Sequence, residues 1–181
     1  MAYDLFEHRH RFSSWAAARA AQRGWASATT KNLMDSIENS GIVNFLHKDD
    51  AISTDEAMFK KQHKIWCRSI INFLNSRGVS KVTYGRVAKL VAVYLKSMVI
   101  IGPYANSSLA SVAHPPIDRI LLRNLSNAPE IENNLRERCR LLNFTELDEQ
   151  SYYDIVIELR GCLNPDEPFW SLERYWTVTN D

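Results

Sequence analysis

Apolar side chains recur at three- and four-residue spacing along most of this chain. The clearest run is Val87, Leu90, Val91, Tyr94, Leu95, Met98 and Val99, the i, i+3, i+4, i+7 stripe of a core-facing helix. Arg86, Lys89 and Lys96 fall off that stripe and are expected on the helix's outer side. A second strong helix is predicted to open at Ser53-Thr-Asp-Glu56, which has the spacing of a capping box. It should run to residue 75 with Met58, Ile65, Trp66, Ile70, Phe73 and Leu74 inward, and end at Arg77-Gly78.

The remaining elements follow the same period. Residues 4–23 read as a helix, with Phe12, Trp15, Ala16, Arg19, Ala20 and Arg23 at helical spacing. Its alanines favour helix, and small residues at Ala16, Ala17, Ala20 and Ala21 would let a neighbour approach closely. Thr29 or Thr30 can cap a short helix through Leu33, Met34 and Ile37. Pro115 and Pro116 start a helix that carries Asp118 just inside it. Further helices are predicted over residues 131–142 (Leu135, Leu141 and Leu142 inward) and from Asp148 or Ser151 to Gly161. A short aromatic one follows Pro168, and alternation suggestive of a strand is confined to Trp176-Thr-Val-Thr. The expectation is an all-α fold: one unit over residues 1–181, of about seven or eight helices. Its lobes would be residues 30–125, and residues 1–29 with 126–181.

Composition adds limits. The apolar fraction of 45% and charged fraction of 24% suit a globular protein. No apolar run reaches the roughly 18–20 residues needed to span a bilayer, so no membrane partner is expected. Cys67, Cys139 and Cys162 are widely spaced without a Cys-x-x-Cys. That argues for reduced thiols in a cytoplasm, against a disulfide framework or a zinc site. No glycine-rich phosphate loop, metal-ligand cluster or cofactor-binding pattern is evident, and His8 and His10 point to different helix faces.

Charge distribution says more than the net value of +1. Residues 57–117 carry nine basic side chains and no acid, whereas residues 118–181 carry 7 basic and 13 acidic ones. An acid-free stretch of this kind suits a surface for phosphates. The plain alternative is a solvated basic face balanced by the acidic C-terminal third.

Two motifs in residues 79–125 carry a resemblance. Gly85-Arg86-Val87-Ala88-Lys89 opens a long apolar helix, and after a loop comes Ile117-Asp118-Arg119-Ile120-Leu121. This order resembles the helix-hairpin-helix superfamily of DNA glycosylases, in which a hairpin ending in Gly-Arg-x-x-Ala precedes a catalytic aspartate at a helix start. The resemblance implies two helical lobes around a cleft, DNA as partner, no cofactor, and Asp118 as the catalytic residue. Tyr84, Gly85, Arg86, Lys89 and His114 would then contact nucleic acid. The hairpin's Pro-Gly-x-Gly is here Val82-Thr83-Tyr84-Gly85, and Val87 stands where bifunctional members carry a nucleophilic lysine. Lys89, two residues on, is expected on a different face, which implies monofunctional base excision without a lysine adduct. Lys81–Leu90 is also similar to the DNA-binding entry of alkylguanine alkyltransferases, but no cysteine here is followed by His-Arg. The opposing functional class is a non-catalytic helical module for a protein partner or a homo-oligomer, docking through an apolar helix face.

Overall fold

A computed structural model describes residues 3–48 and 51–177. Helix α1 (Leu5–Gln22) is capped by the Asp4 carboxylate, which accepts from the amides of Phe6 and Glu7. Helices α2 (Thr30–Glu38) and α3 (Ile42–Leu46) form a turn beside it, and α4 (Glu56–Ser76) follows. Its cap is Asp55, whose carboxylate accepts from the Met58 amide, rather than Ser53. The central helix α5 (Tyr84–Leu95) is capped by Thr83 and widens into a π-helical turn, Lys96–Ile100. Next come α6 (Ser108–Val112), α7 (Arg119–Asn127), α8 (Asn133–Leu141) and α9 (Glu149–Arg160). The last described element is a 3-10 segment, Phe169–Tyr175. Among the described residues there is no strand; the second half of the Trp176-Thr-Val-Thr expectation lies outside them.

One continuous core takes residues from every helix, and α5 is its axis. All seven apolar positions of the α5 stripe and its π turn are buried, as the periodicity predicts. No residue from Tyr84 to Ile100 is fully exposed, so α5 has no outer side. Arg86, Lys89 and Lys96 are half-buried under other elements, which corrects their expected solvent exposure. Gly85 shows how close those elements come. A Cβ there would lie 1.9 Å from the Phe144 carbonyl oxygen, and the Gly85 amide donates to the Leu147 carbonyl at 3.0 Å.

Three registers differ from the sequence expectation. Helix α1 turns its small residues (Ser13, Ser14, Ala17, Ala18, Ala21) inward against α5 and its large ones outward: Phe12 is 56% and Trp15 50% exposed. Small side chains allow the two helix axes to approach closely, and that contact outweighs burying the larger rings. Helix α4 buries Phe59, His63 and Cys67, leaving Met58 and Ile65 exposed. Leu141, at the end of α8, is also exposed rather than inward. Helices α1 and α5, which the sequence divides between two lobes, lie against one another.

Candidate functional site

The two prolines before Asp118 hold an extended entry to α7, and Asp118 becomes its N-cap with helix beginning at Arg119. Its Oδ1 accepts from the amides of Ile120 at 2.9 Å and Leu121 at 3.1 Å. This satisfies two otherwise unpaired donors and sets the carboxylate at the positive end of the helix. Its Oδ2 faces α5, where the Lys89 ammonium lies at 3.0 Å. The Trp176 indole N–H donates to the same oxygen at 3.4 Å. Both partners of the ion pair are largely enclosed, with side-chain exposures of 15% for Lys89 and 7% for Asp118. Lys89 faces away from the core position of Val87, and, one helical turn past Gly85, its ammonium meets Asp118.

Around this pair the charges continue. Lys96, two turns along α5, is bonded to Glu173 of the C-terminal 3-10 segment. Its ammonium also lies 5.0 Å from the centre of the Trp176 ring. Burial pushes the Glu173 carboxyl above its usual range despite the ammonium, and among the described residues its buried Oε1 meets no hydrogen-bond partner. On the other flank the Lys89 ammonium is 5.4 Å from the centre of the Phe144 ring. Residues 169–176 thus form a strap over the Lys89–Asp118 pair. Asn124 of α7 holds that strap down through the Tyr175 carbonyl at 2.7 Å.

Tyr84 and His114 are brought together elsewhere, in a buried cluster with His63, Tyr152 and Tyr153. His63 Nδ1 is 2.8 Å from the Tyr153 hydroxyl and 3.4 Å from that of Tyr84. His114 Nδ1 is hydrogen-bonded to the Tyr152 hydroxyl at 3.0 Å. The two imidazoles are in contact, with ring centres 4.8 Å apart. Burial pulls His63 down to about 3. It holds His114 well below its ordinary value, with the neighbouring His63 adding to the effect. Both are neutral at physiological pH, and burial raises Tyr84, Tyr152 and Tyr153 so that they keep their protons. A nucleic acid on the outside meets neither Tyr84 nor His114 directly.

The other expected contacts are also occupied internally. The Gly85 amide is taken by Leu147. Arg86 donates to the Gly24 carbonyl at 3.3 Å and lies over the Trp25 ring, 5.2 Å from its centre. The acid-free stretch is balanced from the C-terminal third: Lys64 and Arg68 pair with Glu149, Lys89 with Asp118, and Lys96 with Glu173. Its charge asymmetry is to this extent a record of tertiary ion pairs.

Sequence reasoning missed His63, Tyr152, Tyr153 and Glu173 as parts of these clusters, and it named Lys96 and Trp176 without their partners. His63 had a signal: it completes a Phe59, His63, Cys67, Ile70, Leu74 stripe, disguised by one polar residue. Glu173 had none, because only folding carries the C-terminal strap to α5. Among the described residues no group of three His, Cys, Asp or Glu side chains could hold a metal ion. Comparison with protein families, curated proteins and solved structures gives no match for this chain.

Proposed function

We propose that this chain binds nucleic acid and acts on an N-glycosidic bond at the Lys89–Asp118 pair. The observation that carries the reading is the 3.0 Å contact between an amine and a carboxylate at a helix N-terminus. Those are the two groups that base excision through a lysine requires, and they come from the two motifs that resemble helix-hairpin-helix glycosylases. In the reaction, the Lys89 ammonium gives a proton to Asp118 and the free amine attacks C1′ of the sugar. As that bond forms the C1′–N bond breaks, its electron pair leaves with the base, and the base takes the proton held by Asp118; the substituted amine then gives a proton to O4′ as the C1′–O4′ bond opens, leaving the C1′=N iminium that borohydride reduces. Ionised again once its proton has gone to the base, Asp118 stabilises the positive charge of the iminium. This revises the monofunctional expectation based on Val87, since Lys89 supplies the amine from two residues further along the same helix. Entry of a nucleotide requires the strap of residues 169–176 to lift, and extruding a base from a duplex costs a few kcal/mol.

The test is a panel of single-stranded and duplex oligonucleotides carrying modified bases, scored for abasic sites and for adducts trapped by borohydride. Wild type should release a base and form an adduct; Lys89→Gln should form none, and Asp118→Asn should release none while remaining folded. Equal release by wild type and both folded variants, or no release across the panel, overturns the catalytic reading. Release without an adduct would assign the attack to water and return the monofunctional mechanism.

A second reading, the helical interaction module, is favoured by the outward stripe of Leu5, Phe12 and Trp15 on α1. Phe12 and Trp15 line a shallow concavity there together with Tyr3, Asp4, Glu7, His8 and Arg11. Under this reading Trp15→Asp abolishes co-purification of a protein partner and leaves nucleic-acid binding unchanged.

A further inference from the structure

A groove of about 560 Å³ runs between α7, α8 and the 3-10 turn Phe144–Glu146. Arg119 and Arg123, one helical turn apart on α7, line one wall, and Arg140 of α8 lines another. Asn143, Phe144 and Thr145 close the end nearest α5. No carboxylate lines the groove, although the C-terminal third of the chain carries 13 acidic residues against 7 basic ones. Arg140 is bonded to Glu137 on its own helix. Arg119 and Arg123 are exposed, and among the described residues neither forms an ion pair. The groove abuts the pair described above at two points: Arg119 follows Asp118 in sequence, and the Phe144 ring lies against the Lys89 ammonium.

We infer that this groove holds the phosphodiester backbone of a single-stranded or locally unpaired nucleic-acid segment, with Phe144 as a stacking surface for a base. The inference rests on nucleic acid being the substrate and names the surface that would bind it. Planar guanidinium groups match phosphate oxygens in pairs of hydrogen bonds, and an unpaired arginine brings that capacity without first breaking an internal contact. A groove of cations with one aromatic ring at its end is the arrangement that tracks a strand while stacking a base. These residues are not the basic ones of residues 57–117, many of which are spent on internal pairs. The outward charge is instead on α7 and α8, within an otherwise acidic region.

The experiment is fluorescence anisotropy of a labelled single-stranded oligonucleotide, repeated across salt concentrations and with a labelled duplex. The Arg119→Ala/Arg123→Ala variant should bind more weakly, with the slope of log affinity against log salt reduced by about 1.4, the value for two lost phosphate contacts on a single strand. Phe144→Leu keeps an apolar side chain under α5 and should weaken single-strand binding roughly tenfold with no change in that slope. Circular dichroism confirms that each variant is folded. Wild-type affinity in the double-arginine variant overturns the inference. So does displacement of the strand by poly-glutamate as efficiently as by unlabelled oligonucleotide, which would make the groove a general anion site. Duplex bound more tightly than single strand, and untouched by Phe144→Leu, removes the stacking role and overturns the single-strand assignment. Base release by the wild type separates the two proposals: arginine-dependent binding by wild type with no base release across the panel supports the groove and rejects the chemistry, whereas base release that persists in the double-arginine variant at wild-type affinity rejects the groove alone.

Discussion

The His63–His114 cluster and the Lys89–Asp118 cluster lean on the same helix, one at Tyr84 and the other little more than a turn further along. In the first, every titratable group is neutral, and hydrogen bonds run between rings and hydroxyls. In the second, opposite charges face each other beneath a strap whose Glu173 has one buried oxygen without a partner among the described residues. The difference follows from what surrounds each one. Helices α4 and α9 close over the histidines with aromatic rings, so full burial selects the uncharged forms. The lysines sit against the helix N-terminus of α7 and beside the arginine groove, where partners for charge are at hand. The neutral cluster can hold helices together, whereas the charged one has groups suited to reaction.

Breaking the charged cluster should have the largest effect on stability. Asp118→Ala removes the α7 cap and leaves Lys89 enclosed without its partner, a loss of about 3–5 kcal/mol. Asp118→Asn keeps an oxygen for the cap and should lose less. Urea unfolding of the two variants checks this; a loss below about 1 kcal/mol in Asp118→Ala would mean that water reaches Lys89 freely and that the clusters do not differ in enclosure.

Acid should expose the neutral cluster. Above the ordinary histidine value of 6.5, folded and unfolded chains are both neutral at His63 and His114, and the fold retains its full stability with respect to them. As pH falls below 6.5 the unfolded chain takes up protons, while folded His63 does so only near 3 and His114 stays well below its ordinary value. Stability should therefore fall by about 1.4 kcal/mol per pH unit for each histidine. Urea midpoints between pH 7 and 5 measure the slope, and His114→Gln should roughly halve this contribution. A wild-type profile that stays flat would show that these imidazoles are not held neutral by burial.

The smallest change is expected on α1, which makes neither cluster's enclosure. Phe12→Ser and Trp15→Ser should each stay within about 0.5 kcal/mol of wild type, because both rings are largely in water. A loss of 2 kcal/mol or more in thermal unfolding would put these rings in the core and reverse the register of α1.

The sequence by itself determined the helices and several of their ends. Periodicity alone identified the buried stripe from Val87 to Val99, Thr29 or Thr30 marked the start of α2, and Pro115-Pro116 announced the start of α7. Such signals are local: a cap or a stripe is written within a few turns of chain. Which face turns inward was less legible. In α1 the small residues won over Phe12 and Trp15 because α5 passes close beside them, and in α4 a polar His63 took a core position because Tyr153 was there to bond it. The candidate site was half legible, with Asp118 and Lys89 both named but not paired with one another. Their 3.0 Å contact, the strap that covers it and the pairing of basic residues with acids as distant in sequence as Lys64 and Glu149 were decided only by tertiary structure. Charge attraction and packing depend on distance in space, and no local spacing encodes which distant residues folding will make neighbours.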